Sequence, residues 1–135
     1  MDVTQLNGLT LAYIGDSVYE VYIRKYVVSL GYTKVNILHK NVINFTSGNS
    51  QAAIMHYFLK HNLLSDEEIS IFKRGRNSHI KTTRKNINIQ DYLDATGFEA
   101  LIGYLYLSEN TKRIEELINL IINKREEMFQ DGSNT

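Results

Sequence analysis

No proline interrupts the 135 residues of this chain, and its apolar side chains recur at helical rather than alternating spacing. That pattern predicts an all-α fold. Residues 6–14 read as a short first helix and residues 16–30 as a longer one, stopped by Gly31. Residues 36–45 and 47–61 form the next pair, broken near Ser47. Ser65-Asp-Glu-Glu68 is a capping box opening a helix that runs to about Arg74. Residues 75–87 are polar, basic and aperiodic, as a loop would be. Residues 89–107 make a second long core helix, 111–129 an amphipathic terminal one, and 131–135 a frayed tail. With 43% hydrophobic residues and no linker or repeat, residues 1–130 are expected to form one domain.

Each of the two most apolar stretches carries an isolated carboxylate. Asp16 follows Gly15 within residues 6–24, and Glu99 stands among Phe98, Ala100, Leu101 and Ile102. An ionised carboxylate is costly to bury unless something pairs with it, so two on core helices point to a shared cation. Plainer readings exist: Asp16 as an N-cap in Gly15-Asp16-Ser17, and Glu99 as the far end of a capping box from Thr96. Glu20 fits an i,i+4 ion pair with Arg24, with a place beside a metal as its alternative. Asp91 and Asp94 read as acids favouring a helix N-terminus, Asp94 alternatively holding a water. His39, His56, His61 and His79 show no ligand spacing. Oxygen coordination therefore favours Mg²⁺ or Mn²⁺ over zinc.

Lysine plus arginine and aspartate plus glutamate each number 15, but the charges are segregated. Residues 69–90 contain no acid, whereas Lys73, Arg74, Arg76, Lys81, Arg84 and Lys85 all lie there. Such a stripe can bind a polyanion on one face of a neutral protein. Cysteine is absent, which excludes disulfides, thiolate metal sites and cysteine nucleophiles. No phosphate-cradling glycine loop or serine triad is present. The chain shows no membrane-spanning run and no signal peptide, so a cytoplasmic setting is expected.

Residues 11–19, Leu-Ala-Tyr-Ile-Gly-Asp-Ser-Val-Tyr, resemble the signature helix of the ribonuclease III endonuclease domain, and Phe98-Glu-Ala-Leu-Ile-Gly103 its second acidic motif. Gln5-Leu-Asn-Gly-Leu9, Leu38-His-Lys40 and Lys73-Arg-Gly-Arg-Asn77 resemble the Mini-ribonuclease III branch, which lacks a separate double-stranded-RNA-binding domain. The larger enzymes carry further acids where this chain has Ala12 and Thr96, another point shared with the compact branch. The resemblance implies a homodimeric helical bundle, an Mg²⁺-dependent endoribonuclease with Asp16 and Glu99 as catalytic metal ligands. Cleavage of duplex RNA would leave 5′-phosphate and 3′-hydroxyl ends, one strand per protomer. It also implies maturation of the 23S ribosomal RNA precursor, with a ribosomal protein as a further partner on the substrate.

For RNA contacts the basic stripe supplies Lys73, Arg74, Arg76, Asn77, Lys81, Arg84 and Lys85, with Lys40 on the third helix as an addition. Tyr13, Tyr19, Tyr22, Tyr26, Tyr104 and Tyr106, at helical spacing, read as core and dimer-interface residues. The competing readings are a non-catalytic RNA-binding module of this fold, a helix-turn-helix DNA binder and a purely structural helical dimer.

Overall fold

The computed structural model describes residues 1–78 and 88–129, and the described residues are helical with no strand. A short 3-10 turn, Val3–Gln5, leads into α1 (Gly8–Ser29). Then follow α2 (Val35–Thr46), α3 (Gly48–Lys60), α4 (Asp66–Arg76), α5 (Ile89–Leu107), α6 (Thr111–Asn123) and α7 (Arg125–Met128). No helix among the described residues is long and apolar enough to cross a membrane.

A helix that is apolar around its whole circumference has to be buried. In α5 that describes residues 94–98 and 100–105, all of them buried. Helices α1, α3, α4 and α6 pack around it. Phe98 meets Tyr19 of α1 edge to face, with centroids 4.9 Å apart. The Tyr19 hydroxyl donates to the Phe45 carbonyl at 2.9 Å, so its burial leaves no orphaned donor. Burial also raises that phenol well above its ordinary pKa. On α6 only one stripe is buried, Ile114, Leu117, Ile118 and Ile121, as its amphipathic pattern requires.

Several expected boundaries are present. Gly31 adopts φ +101° just beyond α1, and Ser47 both ends α2 and caps α3. The Ser65–Glu68 capping box is formed in both directions, and α5 spans the expected residues. Two boundaries differ. The expected break at Gly15 is absent, because that glycine serves a helix crossing rather than a turn. The terminal helix is divided at Lys124 (φ −109°, ψ 14°), which sets Met128 into the core and Phe129 against Phe45. The expected tail, residues 131–135, lies outside the described residues.

One ion pair binds the frame together. The Arg113 guanidinium donates to both Glu68 oxygens, at 2.8 and 2.9 Å, and to the Leu63 carbonyl at 2.8 Å. Burial pushes the Glu68 carboxyl up, but hydrogen bonds from Arg113 and from the Ser65 backbone outweigh it and leave the pKa lowered. A lowered folded-state value means that stability is gained above the unfolded carboxyl range. It is lost as pH falls through the folded value. Arg113→Met is expected to cost about 3 kcal/mol at neutral pH, because it strands a buried charge. That loss should shrink as acid protonates Glu68, which urea unfolding at pH 7 and in acid would show.

Candidate active site

Helices α1 and α5 cross antiparallel at two glycines. A Cβ built on Gly15 would lie 1.8 Å from the Glu99 carbonyl oxygen, and one on Gly103 would lie 1.9 Å from that of Leu11. Only glycine permits so close a backbone approach. The consequence is that Gly15, the residue before Asp16, meets the backbone of Glu99 from far along the chain.

Neither acid is a helix cap. The caps are Asn7, accepting from the Thr10 amide at 2.8 Å, and Asn88, accepting from the Asp91 amide at 2.8 Å. Asp16 and Glu99 both stand inside their helices, which removes the plainer readings. The expectation that both are buried also requires correction. Asp16 is exposed and Glu99 half-buried. Asp16 lies on the side of α1 turned away from the core, so it remains hydrated and can meet a ligand from solvent.

Glu99 is approached from α3, which runs antiparallel to α5. The buried Gln51 side chain, in the first turn of α3, donates through Nε2 to Glu99 Oε2 at 3.3 Å and to the Thr46 carbonyl at 3.2 Å. Thr96, where the larger enzymes have an acid, donates its hydroxyl back to the Tyr92 carbonyl at 3.0 Å. Glu20 pairs with Arg24 on the surface, as its spacing suggested.

The buried acids among the described residues are Glu68 and Asp94. Asp94, read from sequence as a helix-terminus acid, accepts from Arg76 Nε at 2.6 Å and meets His56 Nε2 at 2.8 Å. Arg76 also donates to Gln90. Ligand atoms of His56, Asp91 and Asp94 lie within 4.8 Å of one another, a spacing a metal could use. A cation there would compete with the Arg76 guanidinium, whose charge already offsets that of Asp94. Sequence reasoning missed this cluster, because its members come from α3, α4 and α5 and share no spacing signature.

The basic stripe divides. Lys73, Asn77 and, on α2, Lys40 are exposed. Arg74 is half-buried and donates to the Thr4 and Leu6 carbonyls at 2.9 and 3.0 Å, tying the N-terminal turn to α4. Arg76 is held by Asp94 as described. Lys81, Arg84 and Lys85 lie outside the described residues. Of the tyrosines, Tyr19 and Tyr104 are buried, Tyr22 and Tyr26 half-buried, and Tyr13 and Tyr106 exposed.

This helical domain, with two acids at the crossing of its long helices, matches known proteins in sequence and in fold. Residues 9–110 match the ribonuclease III domain family, a span that includes Asp16 and Glu99 and ends before α6. The chain is 50% identical to a Mini-ribonuclease 3 from Enterococcus faecalis over 123 residues, 91% of this chain and 93% of that protein. It is 49% identical to one from Clostridium tetani, covering 98% and 88% of the two chains. The crystal structure of a Fusobacterium nucleatum protein superposes with a TM-score of 0.82 at 34% identity, covering 92% of this chain and 98% of that one. The chain belongs to the ribonuclease III family. Within it, the sequence stands with the Mini-ribonuclease 3 proteins, and its activity is that of an endoribonuclease.

Proposed function

We propose that the protein is a metal-dependent endoribonuclease that cuts double-stranded RNA, with Asp16 and Glu99 as its catalytic acids and residues 1–130 as one catalytic domain. The observation that supports this reading is the Gly15 crossing, where the residue before Asp16 packs against the backbone of Glu99 from a distant helix. An all-oxygen donor set suits Mg²⁺, with Mn²⁺ as a substitute, and two acids leave coordination positions for phosphate oxygens and water. When bound, such an ion supplies positive charge at the scissile phosphate and a water of lowered pKa. Water oxygen adds to phosphorus and the P–O3′ bond breaks, leaving a 5′-phosphate and a 3′-hydroxyl. Asp16, exposed to solvent, would orient the attacking water, and Glu99, held from α3, would help to hold the ion.

Duplex RNA is read mainly through its backbone and ribose hydroxyls, which matches a lysine-rich face better than a base-reading pocket. Exposed Lys73, Asn77 and Lys40 would contribute, together with Lys81, Arg84 and Lys85. Arg74 and Arg76 would hold α4 in place while adding charge. The biological substrate we propose is the 23S ribosomal RNA precursor in the cytoplasm, with a bound ribosomal protein shaping it.

Cleavage of an end-labelled RNA duplex tests the activity. Mg²⁺ should yield 5′-phosphorylated fragments and EDTA should abolish them, whereas binding without cleavage would favour the non-catalytic module. Cutting both strands calls for two protomers. On α1, Leu9 and Tyr13 form an outward apolar pair one turn apart, with Tyr13 80% exposed. Tyr13→Arg is therefore expected to convert a dimer into monomers in sedimentation equilibrium. A wild-type monomer would refute this part.

A further inference from the structure

We infer that Gln51 is a positioning residue for the reaction, holding the Glu99 carboxylate in the orientation that receives the metal; this rests on the reading of Glu99 as a metal ligand. Gln51 is only 3% exposed. Both partners of its amide are pure acceptors, the Glu99 carboxylate and the Thr46 carbonyl. The NH₂ group must therefore face them, since a flipped amide would set oxygen against oxygen. In this orientation Oε1 is buried with no hydrogen-bond partner among the described residues.

That combination is poor design for stability. A buried amide with one unsatisfied acceptor is less favourable than an apolar side chain of the same size. What the amide supplies and leucine would not is a directional donor to one oxygen of a half-buried acid. Partners that orient a metal ligand commonly matter for metal affinity and turnover without touching the metal.

The test uses the full chain with Gln51→Leu, Gln51→Glu and Glu99→Gln. For Gln51→Leu, Mn²⁺ binding without RNA, read from the free-ion EPR signal, should weaken about 10- to 100-fold, and kcat should fall by a similar factor. Its duplex KM should stay within about twofold, because the phosphate-binding face is untouched. Gln51→Glu adds a carboxyl that can donate to Glu99 only while protonated. Its activity relative to wild type should therefore decline as pH rises, while the thermal midpoint, followed over the same pH range, falls less steeply than a purely structural role would require. If Gln51→Leu does not fold, the pH profile of Gln51→Glu decides alone. Unchanged Mn²⁺ affinity and kcat in Gln51→Leu, with both lost in Glu99→Gln, would overturn the inference and leave the active site standing. Wild-type behaviour of Glu99→Gln would instead remove the reading beneath it.

Discussion

Asp16→Asn and Glu99→Gln are each expected to lower duplex cleavage by roughly a thousandfold or more, equivalent to about 4 kcal/mol of transition-state stabilisation. The substitutions keep size and hydrogen-bonding capacity while removing the charge that would hold a divalent cation. Asp16 is exposed and makes no capping contribution, so Asp16→Asn should change stability by no more than about 0.5 kcal/mol. RNA binding should persist and tighten, since a negative charge that would repel phosphate has been removed. Cleavage rate, thermal midpoint and duplex affinity measured together separate this outcome from unfolding. Normal cleavage by either variant would refute its assignment as a catalytic acid.

The second large effect is structural. Gly15→Ala should destabilise the protein by about 3 kcal/mol or more, because the new methyl collides with backbone rather than with a movable side chain. Its Cβ would lie 1.8 Å from the Glu99 carbonyl oxygen, 2.7 Å from its carbon and 2.8 Å from the Gly103 nitrogen. In an isolated helix the same change is favourable by about 1 kcal/mol, so the sign of the result measures the crossing directly. For a domain of this size the thermal midpoint should fall by roughly 10 °C. Any folded fraction should also lose activity, as separating α1 from α5 moves Asp16 away from Glu99. Gly31→Ala is the contrast: φ is +101° but nothing lies within 4 Å, so its cost should be about 1 kcal/mol. A higher midpoint for Gly15→Ala in circular dichroism would overturn the close-crossing account.

Local chemistry made much of the fold legible. Ser65 with Glu68, Gly31 beyond α1 and Ser47 between α2 and α3 act on backbone groups within a turn of themselves. Their outcome needs no knowledge of the rest of the chain. The apolar character of residues 89–107 likewise marked them as a core helix before any neighbour was known. Both catalytic candidates were also visible, as carboxylates inside motifs resembling those of ribonuclease III.

What remained hidden depended on distant partners. Gly15 reads in the sequence as a break, and only the approach of the Glu99 backbone shows it to be a contact surface. Asp16 is exposed although its helix is apolar, because the side of α1 that packs is set by α5. Gln51, His56 and Arg76 carried no recognisable spacing; their partners, Glu99 and Asp94, are supplied by the antiparallel registration of α3 and by α4 across α5. The sequence by itself determined most of the helices and their caps, since those follow from contacts one turn long, and it offered the two acids as candidates. The tertiary structure alone decided which side chains are buried, which charges pair between helices and where Glu99 finds Gln51, since each depends on surfaces that exist only when remote helices pack.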